Sequence, residues 1–510
     1  MNLLDRVIGW VAPETGAKRT RARLQMETAG GILRRSYDAA KQSRRTDGWV
    51  VGGGSANAEI APALGLLRWR SRELVRNNPY AARAVDILAA NIVGSGITAR
   101  PKTGNQSLDK RVSALWDRWA GTPECDADGQ LDFYGLQTLI ARTVEESGEC
   151  LVRFRTRRPE DGLSIPLQLQ VLEPDYLDTT KDTTAGTPDN PLNTIEQGIE
   201  YDALGNRVAY YLYRRHPGDV SRLATLQSTR VPADEVLHVY RKARPGQQRG
   251  VPRLSPVALK LRDLDDYHEA ALVKAKVEAC FSGFVTRPDA EITPLAPATT
   301  DANGDRVESL EPGMVNYLGP GETIEFANPS GAGAYEPFTL HTLMAIAAGI
   351  GITYDQLTGD LRQANYSSLR AGKIEFRRLV EQAQWLMMIP MLCAPVWRKA
   401  MDMATLSGAM PARAGGYPAE WSPPGHEPID PVKDLAADVS AVRAGVLTLK
   451  QAIARRGYDP SAQIAEIAAT NAELDSLGVV LNSDPRKTAA SGATQATGPA
   501  PTSTGDQPNA

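Results

Sequence analysis

The stretch GVPRLSPVALKLRDLDDYHEAALVKAKVEACFSGF, residues 250–284, most constrains what this chain can fold into. Ser255 is a natural N-cap and Pro256 a natural first helical residue, and the helical pattern runs to about Cys280. Roughly 25 residues of helix make a rod of about 37 Å, long for a globular domain. A second long helix is predicted through SLRAGKIEFRRLVEQAQWLMM, where Leu369, Phe376, Val380 and Met387 form a core stripe. With 510 residues the chain also exceeds what one core usually serves, so two or three subdomains are expected.

Around these rods the pattern is mixed. Residues 1 to 60 form a basic arm, with Lys18, Arg19, Arg21, Arg23, Arg34, Arg35, Lys41, Arg44 and Arg45, that reads as a flexible terminus or as a partner-binding arm. VGGGSANAE supplies a joint after it. A helix then carries Val85, Leu88, Ile92 and Val93; Asn78 caps it, Pro79 starts it, and Gly94 and Gly96 end it. Helices follow at DKRVSALWDRWAG and DFYGLQTLIARTVEESG, then strands at ECLVRFRTR and LQLQVLEPDYL, and a hairpin turning at DALGN. Further on, MVNYLGPGETIEF reads as two strands joined at Pro320 and Gly321, and PFTLHTLMAIAAGIGI as a helix. Residues 430–475 read as solvated helices, and the low-complexity end has too few apolar residues to fold. The class is α+β.

Bulk chemistry narrows the function. A net charge of −3 excludes a polycation that coats nucleic acid. Cys125, Cys150, Cys280 and Cys393 form no C-x-x-C pair and are expected as buried free thiols in a reducing compartment. Asp5 and Arg6 stand where a signal peptide would be apolar. The most apolar run, WLMMIPMLCAPVW at 385–397, is too short to cross a bilayer and is broken by Pro390 and Pro395, so it is read as core. A soluble protein with no membrane partner is expected.

Signatures of chemistry fail one by one. RAGKIE has Ile374 where a phosphate loop needs a hydroxyl residue, and no dinucleotide, nucleophile-elbow or zinc-protease motif occurs. His216, His238, His268, His341 and His426 have no ligand-spaced partner. Glu124, Asp126, Asp128 and Asp132 fit part of a calcium loop, but its last ligand position is Gly135, and a helix-capping turn is the better reading. Asp263, Asp265, Asp266 and Glu269 cluster on the long helix, either as a solvated face or as acid–base or magnesium ligands with nothing evident to complete them. No cofactor, no metal and no catalytic residue are expected, which favours a structural or assembly protein over an enzyme.

Four separated stretches carry a resemblance. SRELVRNNPYAARAVDILAANIVGSGI (71–97), VPADEVLHVYRKARPGQQRGVPRLSPV (231–257), GITYDQLTGDLRQANYSSLRAGKIEFRR (351–378) and DPVKDLAADVSAVRAG (430–445) resemble, in order, the portal proteins of tailed bacteriophages of the lambda-type family. The resemblance implies a homo-oligomeric ring of about twelve subunits at one capsid vertex. Double-stranded DNA passes through it without sequence specificity. Its implied partners are the terminase large subunit, a major capsid or scaffold protein, and a head-tail connector or head-completion protein. The implied location is the virion, after assembly in the host bacterial cytoplasm.

The implied layout is an α+β wing at 61–252, a first stem helix at 253–284 and a clip at 285–335. A second stem helix at 336–350, a channel loop at 351–366, a long wing helix and return at 367–429, a helical crown at 430–480 and a tail at 481–510 complete it. The clip strands MVNYL and ETIEF would pair between neighbours. In the loop, Thr358, Gln363 and Asn365 would exchange weak hydrogen bonds with passing phosphates, and Arg362 would add one charge per subunit. Gly349, Gly351 and Gly359 would let the loop move, and Asn365 or Ser367 would cap the next helix. Arg370, Lys373 and Arg377 form a basic stripe that is either a solvated or interface face or a DNA contact. Asp263, Asp266 and Glu269 would line the channel with negative charge, which keeps DNA from being held. The competing readings are an enzyme of unrecognised class using the Asp263–Glu269 carboxylates, and another head-tail connector protein.

Overall fold

The computed structural model describes residues 44, 47–48, 52–184, 186, 190–219, 227–279, 284–286, 299–300, 306–307, 323–325, 335–362, 366–425, 430–481 and 486. Side chains are described to 276 in the helix ending at 279, and from 369 in the helix beginning at 366. The chain divides into two units, Met1–Ala58 and Glu59–Ala510, and every helix and strand from Leu64 onward belongs to the second. All of the arm but 44, 47–48 and 52–60, all of the tail but 481 and 486, and Cys280, His426, MVNYL, Gln363 and Asn365 lie outside the described residues.

The helices begin and end where local chemistry dictates. Helix α1 (Leu64–Asn77) runs into α2 (Pro79–Val93). Between them the Asn78 side chain accepts from the Ala81 N–H, and Pro79 takes the first helical position. Strand β1 (Thr98–Pro101) and helix α3 (Gln106–Ala120) lead to α4 (Phe133–Ser147), capped by Asp132 at its start and left-handed Gly148 at its end. The partial calcium loop is a capping turn: Asp126 accepts from the N–H groups of Asp128, Gln130 and Leu131.

Two antiparallel sheets follow. Strands β2 (Glu149–Thr156) and β3 (Leu167–Leu172) pair, and β8 (Val236–Tyr240) adds on the other side of β2. Strands β4 (Thr194–Glu196), β5 (Ile199–Tyr201), β6 (Arg207–Tyr213) and β7 (Ser228–Pro232) form the second sheet, in chain order. The DALGN hairpin joins β5 to β6, its turn closed by Asp202 accepting from Leu204 and Asn206.

Helix α5 (Ala258–Ala279) starts later than the sequence suggests. Pro256 lies in the preceding turn, and Ser255 Oγ is buried without a hydrogen-bond partner instead of capping. The reason is packing: Leu254 and Val257 are buried, so their segment follows the core and not the cap signal. Beyond it, β9 (Phe284–Thr286), β10 (Thr299–Thr300), β11 (Arg306–Val307) and β12 (Thr323–Glu325) are short strands. The ETIEF strand, β12, pairs antiparallel with β9 of its own chain. Then come α6 (Tyr335–Ile350), the one-turn helix α7 (Tyr354–Thr358) and α8 (Tyr366–Ala383).

From Met387 onward the apolar run is largely core, while Trp385 and Leu386 are exposed, and its prolines do not break it. Helix α8 continues through wide π-type turns at Gln384–Cys393 into α9 (Ala394–Leu406). Pro390 sits inside the wide turns and Pro395 at the first turn of α9. Wider turns relieve the carbonyl clash and missing donor that make proline costly in an α-helix interior. Strand β13 (Ala419–Ser422) returns to pair with β1, and helices α10 (Pro431–Arg443), α11 (Leu449–Arg455) and α12 (Pro460–Ser476) close the fold.

Among the described residues, three cores hold this together. The largest joins α3, α4, one face of the β3–β2–β8 sheet and α9 around Trp116, Trp119, Phe133 and Trp397, with Trp116 and Trp397 rings 4.8 Å apart. A second joins α1, α2, the root of α5, the end of α6, α7 and α8, through Leu74, Val85, Leu261, Ile346, Leu357 and Phe376. The third lies between the two sheets at Leu151, Tyr210 and Val231. Cys125, Cys150 and Cys393 are buried free thiols. Burial pushes Cys125 up to about 12, so it is not poised as a nucleophile.

Candidate functional site

The segment after α6 is built tightly. Gly351 has φ +88°, and a Cβ there would lie 2.5 Å from the Arg253 guanidinium. Gly349 sits against Val257, where a Cβ would collide with Cγ1. Gly359 ends α7 in the left-handed region at φ +74°. Close approach and left-handed backbone therefore explain these glycines without any hinge. Thr353 and Gln356 form a capping box for α7, and Leu357 is buried in the second core.

The polar tip is internally paired. Thr358 Oγ1 donates to the Tyr354 carbonyl and accepts from the Asp360 N–H. Arg362 forks onto the Asp360 carboxylate through Nε at 3.0 Å and Nη2 at 2.8 Å. That fork holds Asp360 down to about 2 and raises Arg362. The tip is thus a neutral pair in exposed surroundings. Beside it lies a cleft of about 920 Å³ lined by Tyr80, Tyr335, Tyr354, Asp360, Arg362 and Leu369.

Asp263, Asp266 and Glu269 are exposed on α5, while Asp265 accepts from Asn78 Nδ2 at 2.8 Å. Arg370 Nη2 lies 3.5 Å from Asp434 on α10. Lys373 is exposed, and Arg377 is half-buried. In the core stripe Phe376, Val380 and Met387 are buried, and Leu369 is half-buried. Glu173, Asp175 and His216 are close enough to hold a metal ion. Arg72 already reaches both carboxylates, at 3.1 Å and 2.7 Å, and its charge disfavours a cation there.

Sequence reasoning missed the strongest electrostatic feature. Glu149 opens β2 fully buried, and its carboxylate accepts from Arg68 Nη2 at 2.9 Å, Arg249 Nε at 3.0 Å and the Gly250 N–H at 2.8 Å. His238 Nε2 lies 3.0 Å away. Desolvation pushes the Glu149 carboxyl up, but Arg249, the His238 bond and Arg68 overcome it and hold the group well below the usual range. Desolvation also lowers His238 to about 4, so at neutral pH it is uncharged and donates to the carboxylate. This centre ties α1, β2 and β8 to residues 249–250, which lead into α5. At the same place Gly250 crosses Gly148 so closely that a Cβ would collide with the Gly148 carbonyl oxygen. A charged residue beginning a strand that otherwise buries Cys150, Leu151 and Val152 was the available signal.

Among the described residues no helix is long and apolar enough to cross a membrane. The sequence profile of the phage portal protein, lambda family, matches residues 42–384, more than half of the chain, and the chain belongs to that family. Its α+β architecture is the portal-type fold. Among its relatives is the probable portal protein of Halomonas phage phiHAP-1, 29% identical over 470 residues and covering 88% of each chain. The portal protein of Escherichia phage N15 is 23% identical, covering 81% of this chain and 85% of its own. A solved structure, the neck of a native gene transfer agent particle computed with C12 symmetry, is 17% identical with a TM-score of 0.42. It covers 76% of this chain and 93% of the other.

Proposed function

We propose that the chain is one subunit of a closed ring of about twelve copies at one capsid vertex. Double-stranded DNA passes through the ring during packaging and ejection. The observation that carries this reading is the family match over residues 42–384.

The geometry supports it in two ways. Helices α5 and α6 lie side by side, with the Tyr267 and Tyr335 rings stacked at 5.7 Å, yet α5 buries nothing between Leu264 and Lys276. Two rods whose outer halves are uncovered in one chain suit a stem completed by neighbouring subunits. Residues 351–366 then form the channel loop, 285–335 the clip and 430–480 the crown. A conduit must touch DNA without holding it, because each neutralised phosphate adds salt-dependent affinity. The Arg362–Asp360 pair gives the loop a neutral tip, and exposed Asp263, Asp266 and Glu269 add repulsion on α5. Arg370, engaged with Asp434, serves the fold, while Lys373 and Arg377 face a neighbour or DNA. The terminase large subunit, which supplies the hydrolysis, docks on the ring from outside, and a connector protein replaces it. The ring assembles in the host cytoplasm with a capsid or scaffold protein and stays in the virion.

Native mass spectrometry with negative-stain imaging tests the reading. Twelve copies of 55.1 kDa give roughly 660 kDa in a ring with a central hole; a compact dimer or tetramer overturns it. Replacing Arg362, Gln363 and Asn365 with alanine is expected to leave rings intact and impair packaging or DNA retention. Normal DNA-filled particles from that variant would remove the loop's role.

A further inference from the structure

Two arginines from outside the loop hold it, one at the residue just before it and one within it. Arg253, just before α5, donates from Nε to the carbonyl of Ile350 at 2.5 Å. Ile350 is the last residue of α6. Arg83, on the exposed side of α2, donates from Nε to the carbonyl of Gln356 at 2.7 Å. Gln356 belongs to the single turn of α7, and the Asp360 N–H that would continue that turn goes to Thr358 Oγ1 instead. Both acceptors are therefore carbonyls at helix C-termini, which lack intrahelical donors and carry the negative end of the helix dipole. A guanidinium satisfies both needs at once.

One neighbouring residue is shaped to admit its arginine: Gly351 leaves room for the Arg253 guanidinium, which a Cβ there would meet at 2.5 Å, whereas a Cβ on Gly359 would make only an ordinary contact of 3.5 Å with Arg83 Nη2. Each arginine is also anchored behind. The Arg253 N–H donates to the Glu145 carbonyl at the end of α4, and α2 is tied to α4 by Asp86 and Arg142. The loop thus hangs between two cations whose backbones belong to the α2–α4 body and to the root of α5.

We propose that Arg83 and Arg253 are positioning residues of the channel loop, holding residues 351–362 at a set angle to the body. Neither touches DNA; they act through the carbonyls of Gln356 and Ile350. The proposal rests on reading residues 351–366 as the channel loop, and its test separates the two.

The test uses full-length protein assembled into particles in a Cys280→Ser background, with a nitroxide on Leu361→Cys, a position 61% exposed. DNA retention is measured on the same arginine variants without the label. Arg83→Ala is expected to keep rings and melting temperature, to shorten the label's rotational correlation time severalfold and to reduce retained DNA. Arg83→Lys, which keeps a donor and a charge, is expected to return both readouts toward the parent. Arg253→Gln is expected to act in the same direction. Unchanged label mobility in Arg83→Ala overturns the proposal, and because that side chain is exposed the variant decides even if Arg253→Gln fails to assemble. A mobilised label with unchanged DNA retention upholds the positioning role and overturns the channel reading of the loop.

Discussion

The root of α5 and the C-terminal helices treat their surfaces in opposite ways. At the root, Glu149 is fully buried and bonded by two arginines, a histidine and a backbone N–H. In α10, α11 and α12 Pro460 alone is buried, and Val432, Leu435, Val439, Leu449 and Ile467 are exposed. The first region is complete within one chain. The second has apolar surface that one chain leaves in water, a cost that association with copies of itself would remove. Ordering inside the body and incompleteness outside it suit a subunit whose unfolding and assembly are separate events.

Breaking the root should cost most. Glu149→Gln leaves buried Arg249 without its counter-charge and Arg68 with only Asp175 at 3.8 Å, and about 3–5 kcal/mol of unfolding free energy is expected to be lost in denaturant titration. Gly250→Ala is expected to cost about 3 kcal/mol by the same measurement, because the opposing atom is backbone and cannot yield.

Acid should weaken the same region. His238 is faced by Glu149, Arg207, Arg249, Tyr210 and Tyr240. Its folded pKa is depressed to about 4, below the ordinary value of 6.5. Between these values the unfolded chain binds a proton that the folded chain refuses, so stability falls as pH drops from about 6.5 to about 4. The depressed Glu149 carboxyl acts in the same sense below its own ordinary range. Melting curves across this window are expected to flatten in His238→Gln. An unchanged slope would show that other groups set the acid response.

The outer helices should respond the other way. Changing Val432, Leu435 and Val439 together to serine is expected to shift monomer stability by only about 0.5 kcal/mol, yet to reduce the ring population in native mass spectrometry. Smallest of all, Arg370→Ala removes a partly exposed ion pair with Asp434 and is expected to cost under about 1 kcal/mol. If the serine variant instead unfolds the monomer, the contrast between the two regions disappears.

Local chemistry explains which parts were legible. Asn78 with Pro79, Asp132 with Gly148, and the DALGN turn are signals spanning a few residues, and each element begins or ends there. The core stripe of Phe376, Val380 and Met387 was likewise visible as periodicity. Glu149 was not, because Arg68, His238 and Arg249 lie 81, 89 and 100 residues away. Ser255 and Pro256 misled because tertiary burial of Leu254 and Val257 overrode a cap signal. At the loop, Arg362 read as a lone positive charge, but Asp360 two residues earlier neutralises it. Its relation to Arg83 and Arg253 needed the fold.

The wide turns at Gln384–Cys393 have a consequence for how the chain tolerates length changes. They let one uninterrupted helical run present Phe376 and Val380 to the second core and Leu392, Val396 and Trp397 to the first. The segment works as a phase shifter between two packing faces. Deleting a single residue from it would rotate everything downstream by about 100° and carry Trp397 away from Trp116, whereas a deletion in the DALGN turn would displace little beyond the hairpin.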